Sequence, residues 1–329
     1  MTKIGLVLGA GGMVGQAYHA GVLAALAEHT GWDPREARVI VGSSAGSVTG
    51  SVLRLGATAP DLAAYASDQP LSDEGAALFA LLGARERDFP PFDLSRLARG
   101  WRAPSPRLAA RTLRRPWALR PAAAAATLVP SGGIDLLEHT TALERLAPAS
   151  GWPEGLLVCA TRRDDAARVV FGRPGAPAAS LAAAVAASCA IPGYFAPVRV
   201  GRRDYIDGGA HSPTNADVLR ASRVDLAVVV SPMSARGGRA RTADAVVRLA
   251  AHRRLARETA RLRSAGIQVL AFEPTAPTLS VMGVNAMAQD RSAAVVRAAA
   301  EETARRLADP RVAVRVDHLR RSAPLRLVA

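Results

Sequence analysis

The chain has 329 residues, enough to bury a large core in one large or two ordinary domains, and its 49% apolar composition is that of a globular protein. Lys3 is the sole lysine, so 41 of the 42 basic residues behind the net charge of +14 are arginine, the skew a GC-rich coding sequence produces without selection for an anionic partner. No helix-turn-helix, zinc-finger or RNP-type pattern accompanies that charge, so nucleic acid is not expected as a partner, and the two cysteines, Cys159 and Cys189, are too few for a disulfide framework and lack metal-ligand spacing.

The first apolar run, Ile4–Leu8, reads as a buried strand. It follows Met1-Thr2-Lys3 with no signal-peptide pattern, which together with the sparse cysteines predicts a cytoplasmic protein. The strand ends in Gly9-Ala10-Gly11-Gly12-Met13-Val14-Gly15, and residues 16–29 then carry helical periodicity. A glycine-rich turn between strand and helix presents successive backbone N–H groups to an anion, either a phosphate or an oxyanion. The dinucleotide fingerprint requires a glycine or alanine where this chain has Val14, and an acid at the end of the second strand, where it has Gly42-Ser43. A nucleotide cofactor is therefore disfavoured. The second strand, starting at Val39, runs into Gly42-Ser43-Ser44-Ala45-Gly46, and a helix is predicted over 47–55. Strand, sharp turn and helix around Gly-x-Ser-x-Gly put Ser44 at the apex of a nucleophile elbow, with small residues where larger side chains would collide. Consecutive βα units set these two loops side by side at the C-terminal edge of a parallel sheet. Amides of the first loop would then face an acyl carbonyl attacked by Ser44.

A helix is predicted at 61–67. From 69 to 130 prolines recur and periodicity is weak. Between 85 and 120, ten arginines stand against three acids, with Phe89, Phe92, Trp101 and Trp117 interleaved. That is the make-up of a segment at a lipid interface; the alternative is a surface insertion whose aromatics pack on the main domain. A helix over 134–146 and strands at 156–160 and 168–171 follow. Residues 178–191 read as a buried helix that stops at Pro192 and is too short to span a bilayer. A hairpin over 197–206 delivers Asp207-Gly208-Gly209. Then come a parallel-type strand at 224–230, an arginine-studded helix over 241–263 read as a solvated face, a strand at 267–272 and a helix at 291–307. Beyond Asp309-Pro310 the chain is basic and read as peripheral. The expected organisation is one catalytic domain over 1–310, with a variable insertion at 69–130, and a basic tail over 311–329.

Three elements thus occur in order: a Gly-rich turn after the first strand, Gly-x-Ser-x-Gly after the second, and Asp207-Gly-Gly after a later one. Taken with Ala187-Ser188-Cys189-Ala190-Ile191-Pro192-Gly193-Tyr194-Phe195-Ala196-Pro197, they make residues 3–216, apart from 69–130, resemble the patatin-like phospholipase family. The resemblance implies an α/β fold, a three-layer α/β/α sandwich on a mainly parallel sheet carrying the Pro/Arg-rich insertion. It implies a Ser–Asp dyad, with Ser44 as nucleophile and Asp207 as base. Backbone amides of Gly11, Gly12 and Met13 would form the oxyanion hole, and Gly9, Gly15, Gly42, Gly46, Gly208 and Gly209 would support the turns. The implied substrate is a lipid ester, phospholipid or lysophospholipid, with no metal and no cofactor, and the insertion's arginines would give peripheral contact with an anionic membrane. An acyltransferase or thioesterase would use the same dyad. A lipid-surface or nucleotide-binding protein would keep the loop but has no need of Ser44 and Asp207. The chain departs from the family pattern at Val14, where a basic residue is customary, and in Ala210-His211-Ser212-Pro213-Thr214-Asn215, where the usual Asn and Pro are rearranged. His211 lies only four residues past Asp207 and at best orients the loop; His19 reads as packing.

Overall fold

The computed structural model describes residues 2–83, 105–114, 120–235 and 245–322. Among these, eight strands form a single sheet: β1 Ile4–Leu8, β2 Val39–Ser43, β3 Leu156–Arg162, β4 Arg168–Phe171, β5 Val198–Val200, β6 Arg203–Asp207, β7 Leu226–Val230 and β8 Gln268–Phe272. Followed through hydrogen-bonded neighbours, the sheet runs β5-β6-β3-β2-β1-β7-β8, with β4 also paired to β3. The strands from β3 through β2, β1 and β7 to β8 run parallel, while β4, β5 and β6 pair antiparallel, so the sheet is mixed around a parallel centre.

The helices are α1 Gly12–Thr30, α2 Ala45–Arg54, α3 Ala59–Ala66, α4 Asp73–Leu82, α5 Pro106–Arg114, α6 Pro121–Leu128, α7 Leu137–Thr140, α8 Ala142–Arg145, α9 Leu181–Cys189, α10 Ala245–Arg263, α11 Ala276–Met282, α12 Ser292–Leu307 and α13 Ala313–Ser322. The central strands are apolar on both faces because both faces are covered. Leu6, Leu8, Ile40, Val158 and Val228 pack into one core with residues of α1, α2, α9 and α12. Val7, Val41, Cys159, Val229 and Val269 pack on the other face with Val218 and Leu219 and with Leu255 and Leu262 of α10. Period-two alternation along each strand therefore feeds two separate cores, which is the three-layer arrangement.

Three expectations are corrected. The stretch from 69 is not irregular at its start, because Ser72 accepts the Gly75 N–H as an N-cap and α4 buries Phe79 and Leu82. No continuous helix covers 134–146: Ile134 pairs as a bridge with Phe195, and the Asp135 carboxylate accepts the Leu137 N–H, so helical turns begin only there. The chain past Pro310 is not peripheral over its whole length, since α13 docks through Val316 and Leu319, both buried. Phe89, Phe92, Trp101 and Trp117 lie outside the described residues. Of the insertion's arginines that are described, Arg107 and Arg111 pair with Asp164 and Asp165, and Arg120 donates to the His211 carbonyl. No helix among the described residues is long and apolar enough to cross a membrane.

Candidate active site

Strand β3 is the template on which the site is assembled. Its Cys159 is in register with both Ser43 of β2 and Val170 of β4, so β2 and β4 occupy opposite edges. Its next residue, Ala160, is in register with Val169 of β4 and Asp207 of β6. β6 must therefore lie on the same edge as β2 and take over where β2 ends. Consecutive positions along one edge thus carry Ser43 and Asp207, which brings Ser44 and Asp207 together although 163 residues separate them in sequence.

Ser44 sits at the turn with φ 51 and ψ −124, a backbone region costly for any residue bearing a Cβ. The turn is held from both sides. A Cβ on Gly46 would come within 1.9 Å of the Leu8 carbonyl, and one on Gly42 within 2.5 Å of the Ser47 Cα. Both glycines are needed for close approach. The Ser44 N–H donates to Ser188 Oγ at 2.9 Å, and that hydroxyl donates to the Cys159 carbonyl at 2.6 Å. Ser188, buried in α9, therefore ties the elbow to β3.

Asp207 is 6% exposed. Its Oδ1 accepts the Gly209 N–H at 2.6 Å, while Oδ2 is buried with no hydrogen-bond partner among the described residues. Burial pushes the carboxyl up to about 6 from 3.8; the Ser44 hydroxyl and the Gly209 amide act in the opposite direction and favour the charged form. The Ser44 hydroxyl is thus near the carboxyl, while Oδ2 makes no hydrogen bond among the described residues.

The glycine-rich turn lies next to the elbow. Gly12 has φ 62 and begins α1, and a Cβ there would meet the Ala286 carbonyl at 2.4 Å, so only glycine fits. The amides of Gly9, Ala10 and Val14 are taken by the carbonyls of Val230, Pro213 and Ala286. Those of Gly11, Gly12 and Met13 have no acceptor among the described residues. Three consecutive free N–H groups at a helix N-terminus present partial positive charge. Val14 packs its side chain into the core and supplies no cation. Ala286, on the loop after α11, had no signal in the sequence.

His211 and His19 stand apart from this chemistry. Burial lowers His211 to about 4, with Arg168 adding to the effect. His19 is buried between α1 and α2, with Nδ1 3.3 Å from Thr49 Oγ1, and desolvation holds it neutral at about 3. Cys159 is buried and pushed up to about 12, a packing thiol rather than a nucleophile.

Compared by structure, the chain is similar to VipD from Legionella pneumophila, with 15% identity and a TM-score of 0.44 over 93% of this chain and 66% of that one. It is also similar to the heterodimeric ExoU–SpcU complex of the type III secretion system of Pseudomonas aeruginosa, with 18% identity and a TM-score of 0.34 over 93% of this chain and 51% of that one. It thus spans just under two thirds of the length of the first and about half of the second. No curated protein matches its sequence. The model of the family described as patatin-like phospholipase, however, matches residues 6–220, more than half of the chain, and the protein belongs to that family.

Proposed function

We propose that the protein is a serine acyl hydrolase of lipid carboxylic esters, of the phospholipase A or lysophospholipase type, working through a Ser44–Asp207 dyad. The observation that carries this reading is the buried, raised and half-unbonded Asp207 carboxylate beside a nucleophile elbow and three free amides. In the reaction, Asp207 accepts the Ser44 proton as Oγ attacks the ester carbonyl. The carbonyl oxygen becomes an oxyanion facing the amides of Gly11, Gly12 and Met13, and each such donor is worth roughly 10²–10³ in rate. Collapse expels the alcohol, which takes the proton back from Asp207. Water, deprotonated by the same carboxylate, then attacks the acyl-enzyme, and collapse releases the acid as Ser44 Oγ takes the proton back from Asp207.

A largely apolar cavity of about 340 Å³ supports a single acyl chain as the bound group. It lies at the small end of ligand pockets, too small for both chains of a phospholipid. Met13, next to Gly12 of the glycine-rich turn, lines it together with Gln16, Ala17 and Ala20 along one face of α1, a rise of about 10 Å at 1.5 Å per residue, while Ser44 and Asp207 are not among its lining residues. Tyr65 and Phe79, stacked with centroids 4.2 Å apart, also line it. An extended octanoyl chain spans that length. Among p-nitrophenyl butyrate, octanoate and palmitate, the octanoate should show the highest kcat/KM. Phe79→Ala should move the preference towards palmitate by roughly tenfold, since each newly buried methylene contributes about 0.8 kcal/mol. A flat chain-length profile that Phe79→Ala leaves unchanged would remove the cavity from the binding account.

Peripheral contact with anionic membrane is part of the same reading, resting on the arginines and aromatics between 85 and 120. Co-sedimentation should favour phosphatidylglycerol vesicles over phosphatidylcholine at low salt, and lose that preference near 1 M salt, where the Debye length is about 3 Å. Equal binding to both lipids would leave the arginines as solvated surface.

A further inference from the structure

Helix α10 carries six arginines from Arg248 to Arg263, yet its one fully buried charged residue is a glutamate. Glu258 has no exposed surface and does not act as a surface ion-pair partner alone. Its Oε1 accepts Ser212 Oγ at 2.6 Å and Arg254 Nε at 2.8 Å; its Oε2 accepts Thr214 Oγ1 at 2.7 Å and the Ala216 N–H at 2.8 Å. Three of these four donors belong to the loop that follows Asp207.

That loop touches every part of the site. Asn215, fully buried and left-handed with φ 51, donates from Nδ2 to Ser43 Oγ at 2.9 Å, to the Ser212 carbonyl at 2.7 Å and to the Gly208 carbonyl at 3.3 Å. Ser43 precedes the nucleophile and Gly208 follows the base. Two residues earlier in the same segment, the Pro213 carbonyl accepts the Ala10 N–H at 2.7 Å, which fixes the turn bearing the free amides. Arg168, held in a bidentate pair with Asp217, donates to Asn215 Oδ1 and fixes the amide's orientation.

We propose that Glu258, acting through the 212–216 loop and Asn215, is a positioning residue that sets the separation of Asp207 from Ser44 and of both from the glycine-rich turn. The proposal rests on the Ser44–Asp207 reading. A carboxylate suits this task because all four groups around it are donors, a demand no neutral side chain of similar size meets. In Glu258→Gln the amide nitrogen must face either the Ala216 N–H or the Arg254 Nε–H, donor against donor, at unchanged volume. The loop then relaxes, and displacement on the order of 1 Å in a catalytic pair can cost about 10²-fold in rate.

The test uses the full chain, p-nitrophenyl butyrate, and end-point labelling with a fluorophosphonate to count competent sites. For Glu258→Gln, kcat per labelled site should fall roughly 10- to 100-fold, with KM within about twofold of wild type. Asn215→Gly, which keeps a residue at ease with positive φ and cuts the link to Ser43, should show a similar loss. The double variant should be no worse than the poorer single one, because both act through one path. A purely structural role would lower melting temperature and the labelled fraction while leaving kcat per labelled site at the wild-type value. That result, or fully additive losses, overturns the proposal. Should Glu258→Gln not fold, Thr214→Val, which takes one donor off the carboxylate, is read by the same criteria. Undiminished turnover in Ser44→Ala would sink the hydrolase reading and this proposal with it. Loss in Ser44→Ala with wild-type kcat in Glu258→Gln overturns the positioning role alone.

Discussion

Replacing Ser44 by alanine should lower hydrolysis of a short p-nitrophenyl ester by roughly 10⁴-fold or more, the scale on which loss of a serine nucleophile registers. The hydroxyl is the only group removed. The elbow's supports remain, since the Ser44 N–H bond to Ser188 and the close packing at Gly42 and Gly46 involve no side-chain oxygen of Ser44. Alanine keeps a Cβ at φ 51, so the strain stays and the melting temperature should hardly move. Activity within tenfold of wild type in a purified, correctly folded Ser44→Ala would mean that another group carries the chemistry.

Asp207→Asn should cost activity and add stability, a pairing that distinguishes a base from a structural carboxylate. The isostere keeps an oxygen for the Gly209 N–H but has no capacity to take the Ser44 proton, so a loss of roughly 10³-fold or more is expected. The stability change follows from the raised carboxyl. Its folded value near 6 lies above the unfolded 3.8, so the native state binds the proton more tightly. Stability from this group is present in full below 3.8 and is lost as pH rises through 6. Above that pH the buried charge disfavours the fold by up to roughly 3 kcal/mol, which asparagine relieves. The melting temperature of Asp207→Asn should therefore exceed that of wild type at pH 8 and converge with it in acid. The wild-type acid limb should follow the same group, with kcat/KM expected to rise through about pH 6 as the carboxyl becomes charged. Loss of both activity and stability at pH 8 would make Asp207 a structural residue.

The parts of this site legible in the sequence are those encoded locally. Gly-x-Ser-x-Gly after three β-formers is a local strand–turn–helix signal, and the close contact at Gly42 is made by the helix it leads into, although Gly46 packs on Leu8 of the neighbouring β1. The glycine-rich turn was legible as a run of glycines between strand and helix, although the groups it packs against lie far off in sequence. Asp207 was legible only through Asp-Gly-Gly at the end of a hairpin and the family resemblance, since its pairing with Ala160 of β3 is a long-range register. Ser188 and Ala286 bond to the site across the fold, and nothing around them in sequence announces their partners. Glu258 is different, because a signal was there. Ala251, Leu255, Glu258 and Leu262 form one buried stripe of α10, and a charge inside an apolar stripe demands buried partners. The density of arginine on the other faces concealed it. At 134–146, apolar spacing suggested a helix that Ile134 interrupts by pairing with Phe195, a tertiary contact overriding local preference.

The central claim, that Ser44 is an activated nucleophile, is tested most directly by covalent labelling. The purified protein would be treated with a fluorophosphonate, digested, and the adduct located by mass spectrometry. A single adduct on Ser44, formed faster as pH rises through about 6 and absent from Ser44→Ala, is the expected result. An adduct on another serine, or none under conditions in which the protein hydrolyses an ester, would contradict it.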